Sequence, residues 1–575
     1  MCHKNAEVLK APRVLRGFDV KGEYIVISRE NGEKALWLIS HTTKKRLCRG
    51  FLPQFLGDDI LYSDAVNDRT DIFLYQNGQS SNLTKEGRNL AFQPSPQGKS
   101  LAFLSDRDGP LNLYFFDLGE QKSIRLYAPD PPLSLRPFVF SPDGKYILFW
   151  TRESPVRDGG VWCLNVNTCK AERIIYFPES SVRVGNPYLW YLSPSIPVFG
   201  NRNVWLDQDR FIFLSDVKGH DSFGISTLKG EIQWVNDRSE GDKEFYSVSP
   251  DVEWVAYNEY IDWKVRLVFF SLEEETRTIV EYKGCLSCPQ WSDNGVYCWG
   301  SSPTEGTGIL YIQPGGEPTY CYREPPPCPT VMPVPVHYKT FDGRTIGAWL
   351  YNPEKTRVLV WLHGGPQDVC LNNFDPVLQY FALSGYAVFA PNFRGSSGYG
   401  KEFKTLNWND LGGGDLKDVI EGISYLEREG YGPFVVAGQS YGAYLSLMVL
   451  TKFPDVCEGG VCISGMYVLF PEFASKWLIS TGYVWMDLEN RDLLTERSPA
   501  CLLEHLKSPV LVIHGKSDQY TPLSGVEYML QRTRAVGKEG LLRTLMYEGG
   551  HGLTEQDDIT KIYEKIITFL DGMTK

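Results

Sequence analysis

A serine flanked by glycines stands in the stretch GQSYG, residues 438–442. The spacing Gly-x-Ser-x-Gly is typical of a nucleophile elbow, a tight turn that raises a serine hydroxyl above the edge of a sheet. The pattern alone is weak evidence, because glycine fills 54 of 575 positions. Its setting is stronger evidence, since an apolar strand-like run at 434–437 precedes it and a helical stretch follows from near Ala443. Ser440 is therefore predicted to be a catalytic nucleophile.

A serine hydroxyl needs a base that accepts its proton, and the base needs a carboxylate that orients it. In enzymes with a nucleophile elbow the three residues follow in the order Ser, Asp, His. Asp518 comes just past the strand-like run PVLVIHG, and His551 is the only one of eight histidines that follows it. Asp492 and Asp557 are rivals for the acid, but neither follows a predicted sheet strand. The predicted triad is Ser440, Asp518 and His551.

The negative oxygen of a tetrahedral intermediate needs two main-chain N–H donors. One is predicted to come from Tyr441, directly after the nucleophile. The other is predicted to come from Gly365 in the stretch LHGGPQ, where two glycines let the backbone approach a substrate. His363 and His514 stand at the ends of strand-like runs and are predicted to be structural.

The region that carries these residues alternates apolar runs such as RVLVWL, AVFAP and FVVAG with helix-length amphipathic stretches. Continuous Val, Leu and Ile strands between helices indicate a mostly parallel sheet that helices cover on both faces. The parallel arrangement places the ends of successive strands at one edge, where the three predicted residues meet. The C-terminal half is predicted to be a doubly wound α/β domain, residues 344–575.

The N-terminal half has a different rhythm, with seven copies of one pattern at intervals of roughly 35–50 residues. Each copy has a turn such as SPDG, a short apolar strand, a charged turn and an aromatic strand; the clearest begin at Pro94 and Phe140. The pattern predicts a seven-bladed β-propeller over residues 1–322, with a short lead-in at 1–12. Two stacked β-sandwiches are the alternative. Asp106 and Asp143 are interpreted as turn formers. Prolines at 323–343 indicate an inter-domain linker.

Composition narrows the function classes. The formal net charge of −12 argues against a nucleic acid or an anionic membrane as partner. No apolar run of about 18 residues is present, and the N-terminus lacks the apolar core of a signal peptide. The 13 cysteines are expected to be reduced, and Cys285 with Cys288 lacks the further ligands of a metal site. We expect a cytoplasmic protein without metal or cofactor; a homo-oligomer is compatible with the sequence.

Five ordered motifs resemble the prolyl oligopeptidase family of serine peptidases, and most closely its acylaminoacyl-peptidase branch. They are HGGP at His363, PNFRGSSGYG at Pro391, GQSYGAY at Gly438, SDQYTP at Ser517 and GGHG at Gly549. The resemblance covers the α/β half, and the propeller fits the family architecture. It implies an α/β-hydrolase fold, the same triad, and the amides of Gly365 and Tyr441 as the oxyanion hole. The prolyl oligopeptidase branch itself is expected to place a tyrosine hydroxyl in the HGGP loop, and this chain has none there.

The resemblance also implies that the propeller is a lid that admits only short, unstructured peptides. It implies an S1 pocket within residues 465–485, which would bind an apolar P1 residue through Tyr467, Phe470, Phe473 and Trp477. These aromatic residues are equally compatible with a helix core. No pair of glutamates of the kind that holds a free peptide amino terminus is evident in the propeller.

Three functions remain open at this point. The first is a serine oligopeptidase that releases an N-terminal acylated residue or cleaves short peptides. The second is an esterase or amidase that acts on a non-peptide substrate with the same triad. The third is a non-catalytic propeller scaffold, which an intact nucleophile, base, acid and oxyanion loop disfavour.

Overall fold

The computed structural model describes most of the chain and leaves out residues 1–5, 11–14, 23, 31–33, 41–42, 67–68, 110, 129–133, 155–156, 185–202, 240, 262–263, 293–294, 475–485, 554–555 and 575.

Seven four-stranded sheets fill the N-terminal part of the described chain, and consecutive strands within each sheet pair in antiparallel fashion. Blades 1 to 4 contain β1 Leu15–Lys21, β2 Tyr24–Glu30, β3 Lys34–Ile39, β4 Lys44–Arg49, β5 Phe51–Leu56, β6 Asp59–Val66, β7 Arg69–Gln76, β8 Gln79–Asn82, β9 Asn89–Pro94, β10 Ser100–Ser105, β11 Asn112–Asp117, β12 Lys122–Tyr127, β13 Ser134–Phe140, β14 Tyr146–Ser154, β15 Arg157–Asn165 and β16 Lys170–Ile175. Blades 5 to 7 contain β17 Val182–Arg183, β18 Arg210–Ser215, β19 Ser222–Thr227, β20 Ile232–Trp234, β21 Asp242–Val248, β22 Trp254–Ile261, β23 Lys264–Ser271, β24 Arg277–Val280, β25 Cys285–Ser292, β26 Gly295–Ser302, β27 Gly306–Ile312 and β28 Thr319–Glu324. Each of the seven copies of the sequence pattern falls in a separate blade, which confirms the predicted seven-bladed propeller.

The ring of seven blades closes although no strand is shared between the first blade and the last. Strand β1 contacts both β5 and β25, so the first strands of neighbouring blades lie next to one another around the axis. Asp19 of β1 accepts a hydrogen bond from the main-chain N–H of Phe55, at 2.7 Å, and another from the side-chain amide of Gln290. One carboxylate therefore connects blade 1 to blade 2 on one side and to blade 7 on the other.

The SPDG-type turns owe their shape to side chains that bond the turn itself. In the turn that starts at Ser141, the serine hydroxyl donates to Asp143 at 2.7 Å, and Asp143 accepts from the N–H of Lys145 at 3.1 Å. Gly144 has φ of +73°, a left-handed value that glycine adopts without strain. These contacts agree with the interpretation of Asp143 as a turn former.

The C-terminal part is built on one eight-stranded sheet with the strand order β29-β30-β32-β31-β33-β34-β35-β36. The first two pairings are antiparallel, and every pairing from β32 to β36 is parallel. The strands are β29 Val334–Lys339, β30 Thr345–Tyr351, β31 Val358–Leu362, β32 Ala387–Pro391, β33 Phe434–Gln439, β34 Gly460–Ile463, β35 Val510–Gly515 and β36 Leu542–Tyr547. This sheet confirms the predicted α/β domain.

Helices cover both faces of the sheet, and each face has its own cluster of buried apolar side chains. The helices are α1 Pro376–Leu383, α2 Gly400–Thr405, α3 Gly414–Arg428, α4 Tyr441–Lys452, α5 Arg491–Arg497, α6 Leu523–Ala535 and α7 Gln556–Asp571. Strands β31 and β33, which precede the predicted oxyanion loop and nucleophile, pair with one another in the middle of the sheet. Short 3₁₀ segments occur at Ala6–Lys10, Pro471–Phe473, Pro499–Cys501, Leu503–His505, Glu539–Leu541 and Gly572–Thr574.

Two segments differ in role from the sequence expectation. Strand β29 lies within residues 323–343, which were expected to be linker, yet it pairs with β30 as the edge of the sheet. An edge strand tolerates Pro335, because an N–H that faces away from the sheet has no ladder partner to lose. The segment Ala6–Lys10, expected to lead into the propeller, instead packs on α1 and α7, where Val8 and Leu9 are buried.

The two domains meet through polar and apolar contacts. The N–H of Gly400 donates to Asp242 of blade 6 at 2.9 Å, and the ammonium of Lys401 donates to the carbonyl of Glu179 at 2.6 Å. Val369 and Leu371 of the α/β domain are buried in the same cluster as side chains of blades 1, 6 and 7. The loop that follows the predicted oxyanion residues is therefore packed against the propeller.

Candidate active site

Ser440 occupies the turn between β33 and α4 with φ of +57° and ψ of −117°. A residue with a side chain adopts positive φ only at a cost, and such strain is common where a structure must aim a reactive group. The main chain of Ser440 is held on both sides, since its N–H donates to the carbonyl of Ile463 at 2.8 Å and its carbonyl accepts from Ala443 and Tyr444 at 3.1 Å. The turn has the strand–turn–helix form that the sequence predicts.

The two glycines of the motif are required by close backbone contacts. A Cβ atom on Gly438 would lie 2.4 Å from the carbonyl carbon of Gly442. A Cβ atom on Gly442 would lie 1.8 Å from the carbonyl oxygen of Leu362 on the neighbouring strand β31. Real Cβ contacts do not reach such distances, so glycine at these positions lets α4 pack directly against the sheet.

The structure brings the three predicted residues into one hydrogen-bonded chain. The Nε2 atom of His551 lies 3.0 Å from the hydroxyl oxygen of Ser440. The Nδ1 atom of His551 lies 2.8 Å from Oδ2 of Asp518. With Asp518 ionised, Nδ1 carries the proton and donates it to the carboxylate, which leaves Nε2 free to accept the proton of Ser440. This is the arrangement that activates a serine hydroxyl.

Asp518 is buried in the turn after β35 and is surrounded by donors. Its Oδ1 accepts from the main-chain N–H groups of Tyr520 and Thr521, both at 2.9 Å. Its Oδ2 accepts from His551, and the Thr521 hydroxyl lies 2.8 Å from the same oxygen. Burial opposes ionisation of the carboxyl, but the hydrogen bond and charge of His551 and the bonds from Thr521 outweigh it, so the pKa of Asp518 lies below its ordinary value.

Thr521 is a site residue that the sequence reasoning missed. Its hydroxyl lies within 3.2 Å of Nδ1 of His551 and also contacts Asp518, so it touches both the base and its orienting acid. The signal was present in the motif SDQYTP, because an aspartate often accepts hydrogen bonds from the second and third residues after it. That local bond makes the turn and aims the carboxylate at the same time.

The loop that carries His551 depends on a glycine of the neighbouring strand. Gly515 ends β35, and a Cβ atom there would lie 2.2 Å from the carbonyl oxygen of Gly550 and 2.5 Å from that of Gly549. The hydroxyl of Tyr547 donates to the carbonyl of Gly550 at 2.7 Å. These contacts hold the GGHG loop against the end of β35, where Asp518 follows.

The predicted oxyanion residues flank Ser440. The N–H of Tyr441 is the first of α4, and no acceptor among the described residues bonds it; such orphan donors are usual at a helix N-terminus. A Cβ atom on Gly364 would lie 3.5 Å from Cβ of Ser440, which places the glycine loop beside the nucleophile. Gly365 has φ of +109°, a conformation suited to glycine.

His363 and His514 have the surroundings of structural residues. The ring of His363 stacks on Phe393 with centroids 4.2 Å apart, and its Nε2 lies 2.8 Å from the hydroxyl of Ser396. Burial lowers the pKa of His363 to about 4. His514 is buried and donates from Nε2 to the carbonyl of Thr521 at 2.8 Å. The same Nε2 of His514 lies 3.8 Å from Oδ2 of Asp518, while neither His363 nor His514 hydrogen-bonds Ser440 or His551.

The rival acids lie elsewhere. Asp492 is exposed in the first turn of α5, and Asp557 is the second residue of α7. The described part of the chain contains no group of three or more His, Cys, Asp or Glu side chains placed to hold a metal ion.

The residues expected to form the S1 pocket have unequal surroundings. Tyr467 is buried in the apolar core and offers no open surface. Phe470 and Phe473 are half-buried; the guanidinium of Arg491 lies 5.1 Å from the ring centre of Phe470, and the ring of Tyr528 lies 4.9 Å from that of Phe473. Trp477 lies outside the described residues.

Among the described helices, none combines the length and the hydropathy that a membrane span needs.

Comparison with known proteins adds evidence about the family of the chain that does not depend on the geometry of the site. Residues 372–575 match the model of the prolyl oligopeptidase family. The chain is 27% identical over 233 residues to the uncharacterized peptidase YuxL of Bacillus subtilis, covering 36% of this chain and 34% of that protein. It is also 27% identical over 239 residues to the acylamino-acid-releasing enzyme of Rattus norvegicus, covering 38% of this chain and 32% of that protein. The matches thus span about a third of the length of these curated relatives.

The likeness of fold extends over both domains. The structure of a Mycobacterium tuberculosis puromycin-hydrolyzing peptidase superposes with a TM-score of 0.84 at 17% identity, covering 98% of this chain and 95% of that one. At this identity the superposition shows a shared propeller and α/β architecture and does not indicate a substrate. The family match itself rests on the sequence of the α/β half, which contains the nucleophile elbow and the loops of Asp518 and His551. The chain therefore contains a prolyl oligopeptidase family domain at residues 372–575.

Proposed function

We propose that the chain is a serine oligopeptidase that hydrolyses short peptides through an acyl-enzyme, in the manner of an acylaminoacyl peptidase with an apolar P1 residue. The observation that carries the proposal is the chain of contacts from Ser440 to His551 to Asp518, at 3.0 and 2.8 Å. These contacts lie at the carboxyl edge of a family α/β sheet that a propeller covers. The same acyl-transfer chemistry would serve peptides and esters, so the triad does not separate the two substrates. The propeller favours peptides, because we expect it to be a lid that admits short, unfolded peptides.

In the first half of the reaction the Ser440 hydroxyl oxygen attacks the carbonyl carbon of the scissile bond, and Nε2 of His551 takes the hydroxyl proton. Asp518 stabilises the imidazolium and keeps its Nε2 directed at Ser440. The carbonyl oxygen gains negative charge and accepts from the N–H groups of Tyr441 and Gly365. His551 then protonates the leaving amine, the C–N bond breaks, and an ester of Ser440 remains.

The second half repeats these steps with water as the nucleophile. His551 removes a proton from water, the resulting hydroxide attacks the ester carbon, and the same amides bind the oxyanion. His551 returns its proton to the Ser440 oxygen as the ester bond breaks, and the carboxylic acid product leaves. No metal or redox group is needed for this balance of atoms and protons.

The propeller supports the proposal that only short, unfolded peptides reach Ser440. A cavity of about 570 Å³ lies among blades 3 to 6 and is lined by Gln93, Phe140, Trp205 and Val252. It adjoins the carboxyl end of β21, whereas Asp242 at the opposite end of β21 bonds the α/β domain. The cavity therefore lies toward the end of β21 that is opposite to the domain contact.

The most specific feature of the proposed function is a preference for an apolar P1 residue. Phe470 and Phe473 follow β34 within a segment whose start, at Ser464, bonds the Thr521 hydroxyl beside the base. Half-buried aromatic rings offer apolar area for a substrate side chain. With Tyr467 occupied in the core, Phe470 and Phe473 are the described residues that we expect to contact P1, together with Trp477.

The nucleophile is tested with a fluorophosphonate probe and mass spectrometry of the labelled peptide. We expect labelling of the wild type at Ser440 and none of Ser440→Ala, which should also lose turnover by a factor of order 10⁴ or more. Ser464→Ala is the matched control, because Ser464 also has positive φ, at 49°, and directly follows the neighbouring strand β34. Labelling of another serine would contradict the proposal.

The substrate class is tested with a set of chromogenic substrates: acetyl-aminoacyl, free aminoacyl, X-Pro and a simple ester. We expect the highest kcat/KM for a blocked substrate with an apolar P1 residue, and a fall for charged P1. A kcat/KM that is high for the ester and negligible for every peptide would favour the esterase alternative.

A further inference from the structure

The stretch LGGGDLKD, residues 411–418, contains three consecutive glycines that the triad does not explain. Each is closely surrounded by other side chains of the α/β domain. A Cβ atom on Gly412 would lie 2.3 Å from the hydroxyl of Tyr444, one on Gly413 would lie 2.0 Å from Asp410, and one on Gly414 would lie 2.7 Å from the side chain of Arg394. Gly412 thus lets the segment that leads into α3 approach α4 closely.

That approach places a buried carboxyl beside the residue after the nucleophile. Asp415, the second residue of α3, is fully buried. One of its oxygens accepts from the hydroxyl of Tyr441, and the other accepts from the N–H of Leu416 at 2.7 Å. Asp415 forms no ion pair with any of the described residues. Burial raises the pKa of Asp415 to about 7, against the hydrogen bonds of Tyr441 and Leu416, which lower it.

A buried carboxyl without a cation is unfavourable, so its place here needs a reason other than stability. The start of α3 reduces the cost, because a helix N-terminus favours negative charge. The hydrogen-bond partner of Asp415, which is Tyr441, suggests why a carboxyl is buried here. Tyr441 supplies the N–H that the proposed mechanism aims at the oxyanion, and its hydroxyl is the group that Asp415 binds.

Tyr441 is held at the ring as well. Its centroid lies 6.2 Å from that of Phe393 and 5.1 Å from that of Tyr444, and its side chain is buried. These apolar contacts restrict the ring but do not define its position along its own axis. The hydrogen bond to Asp415 does, and it anchors the ring at the end farthest from the main chain.

We propose that Asp415 is a positioning residue for the oxyanion hole: it binds the hydroxyl of Tyr441 and thereby fixes the main-chain N–H of Tyr441 beside Ser440. The inference rests on the proposed peptidase function. An oxyanion donor is effective only at about 2.7–3.1 Å from the oxygen, so a small shift of Tyr441 weakens the transition state more than the bound substrate.

The test compares Tyr441→Phe with Tyr444→Phe. Tyr444 is a matched control, because it lies on the same helix in the same core and its buried hydroxyl donates to the carbonyl of Arg497 at 2.9 Å. For Tyr441→Phe we expect kcat about 10-fold lower or more with KM changed less than about twofold, since loss of an entire oxyanion donor costs about 10²–10³. The affinity for a peptidyl boronate should fall in parallel, and Tyr444→Phe should keep the wild-type kcat.

Changes at Asp415 provide the second readout. Asp415→Ala should reproduce the loss of kcat, whereas Asp415→Asn, which keeps a hydrogen-bonding group for the hydroxyl, should recover most of it. The double variant Tyr441→Phe with Asp415→Ala should lose no more kcat than either single change, because both remove one contact. Thermal unfolding of each variant identifies those that fold, and the Asp415 pair remains informative if Tyr441→Phe does not.

Three results would overturn the inference: wild-type kcat and boronate affinity in Tyr441→Phe, an equal loss of kcat in Tyr444→Phe, or no recovery in Asp415→Asn over Asp415→Ala. Failure of the proposed function looks different, because the wild type would then neither hydrolyse the peptide substrates nor be labelled at Ser440.

Discussion

Four donors converge on the carboxylate of Asp518: two main-chain N–H groups, the hydroxyl of Thr521 and Nδ1 of His551. Their combined effect is a pKa below the ordinary value in spite of burial, so the group is ionised at neutral pH. An ionised acceptor selects the tautomer of His551 in which Nε2 lacks a proton and faces Ser440. In the proposed mechanism, the reactivity of Ser440 thus depends on a residue that does not touch it.

Asp518→Asn tests this dependence. The amide has nearly the same shape but can donate a hydrogen to Nδ1, which would place the histidine proton on Nε2 and block proton transfer from Ser440. We expect kcat to fall by several orders of magnitude, about 10⁴-fold, with KM nearly unchanged. Steady-state kinetics on a blocked peptide substrate measure both. Asp492→Asn is the control, and a larger loss in that variant would mean that Asp518 is the wrong acid.

His363 gives a pH prediction at the same scale. Its pKa falls from an ordinary 6.5 to about 4 because burial disfavours the imidazolium. The unfolded chain therefore binds a proton near pH 6.5 that the folded chain resists until about pH 4. Stability is unaffected above pH 6.5 and decreases as the pH falls through this window, by about 3 kcal/mol in all.

Urea unfolding at a series of pH values checks this sign. The free energy of unfolding of the wild type should decrease relative to that of His363→Asn as the pH falls from 7 to about 4. His505→Asn provides the control for loss of an exposed histidine, because the side chain of His505 is 61% exposed. A constant difference between wild type and His363→Asn would contradict the prediction.

Helix α4 and the GGHG loop, which position Ser440 and His551, pack against the sheet more closely than a residue with a Cβ atom would permit. Helix α4 meets the end of β31 at Gly442, and the GGHG loop meets the end of β35 at Gly515. Each contact involves backbone atoms on both sides, so neither partner can move aside as a flexible side chain would. The positions of Ser440 and His551 relative to the sheet therefore depend on glycines that take no part in the chemistry.

Two glycines in the first turns of helices allow two effects on stability to be distinguished: the need for close backbone packing and the backbone flexibility of glycine. Gly442→Ala places Cβ 1.8 Å from the carbonyl oxygen of Leu362, and we expect it to destabilise the protein by about 3 kcal/mol or more. Gly525→Ala in α6 meets no atom within 4 Å and should stabilise it by about 0.5–1 kcal/mol. Thermal and urea unfolding measure both. Equal stability of the two variants would show that α4 can retreat from β31.

Direct hydrogen bonds join the two domains at two places. At the first, Asn372, Phe374 and Gln379 bond Lys283, Ser301 and Pro303 of the propeller. At the second, the bonds Gly400 to Asp242 and Lys401 to Glu179 connect α2 to the propeller, and Lys401 also lies 3.5 Å from Asp216. Apolar packing of Val369 and Leu371 supports the same side. Motion of one domain against the other would need to break these contacts before a large substrate reached Ser440.

Substrate length tests the enclosure. A series of peptides of rising length with one constant scissile bond should show kcat/KM that falls steeply beyond a few tens of residues, because an extended chain passes a narrow opening and a folded one does not. Mass spectrometry of the products gives each rate. Equal cleavage of an unfolded chain of about a hundred residues would mean that the propeller is no size filter.

Lys401→Ala tests the domain contact itself. Loss of the ammonium removes the bond to Glu179 and the ion pair with Asp216, so we expect kcat/KM for the longer peptides to rise several-fold while that for the shortest stays constant. Lys507→Ala is the control, because Lys507 forms an exposed pair with Asp455 within the α/β domain. A change that is equal for all lengths would contradict a gating role.

Local patterns in the sequence were sufficient to predict the seven blades and the α/β half, and to single out Ser440, Asp518 and His551 as the candidate triad. Alternation along strands, turn residues and continuous apolar runs are properties of neighbouring residues, so they can be read without a fold. The parallel sheet then implies that residues after successive strands share one edge, and the distances of 3.0 and 2.8 Å agree with that expectation.

Contacts between distant segments had no such signal. The pairing of β29 with β30, the packing of Ala6–Lys10 on α7 and the bond of Tyr441 to Asp415, 26 residues earlier, depend on where chain segments meet. Such meetings are decided by burial and shape over the whole domain, to which each residue contributes little by its own type. The sequence by itself thus determined which residues are candidates for the chemistry, while the tertiary structure decided which distant segments hold them in place.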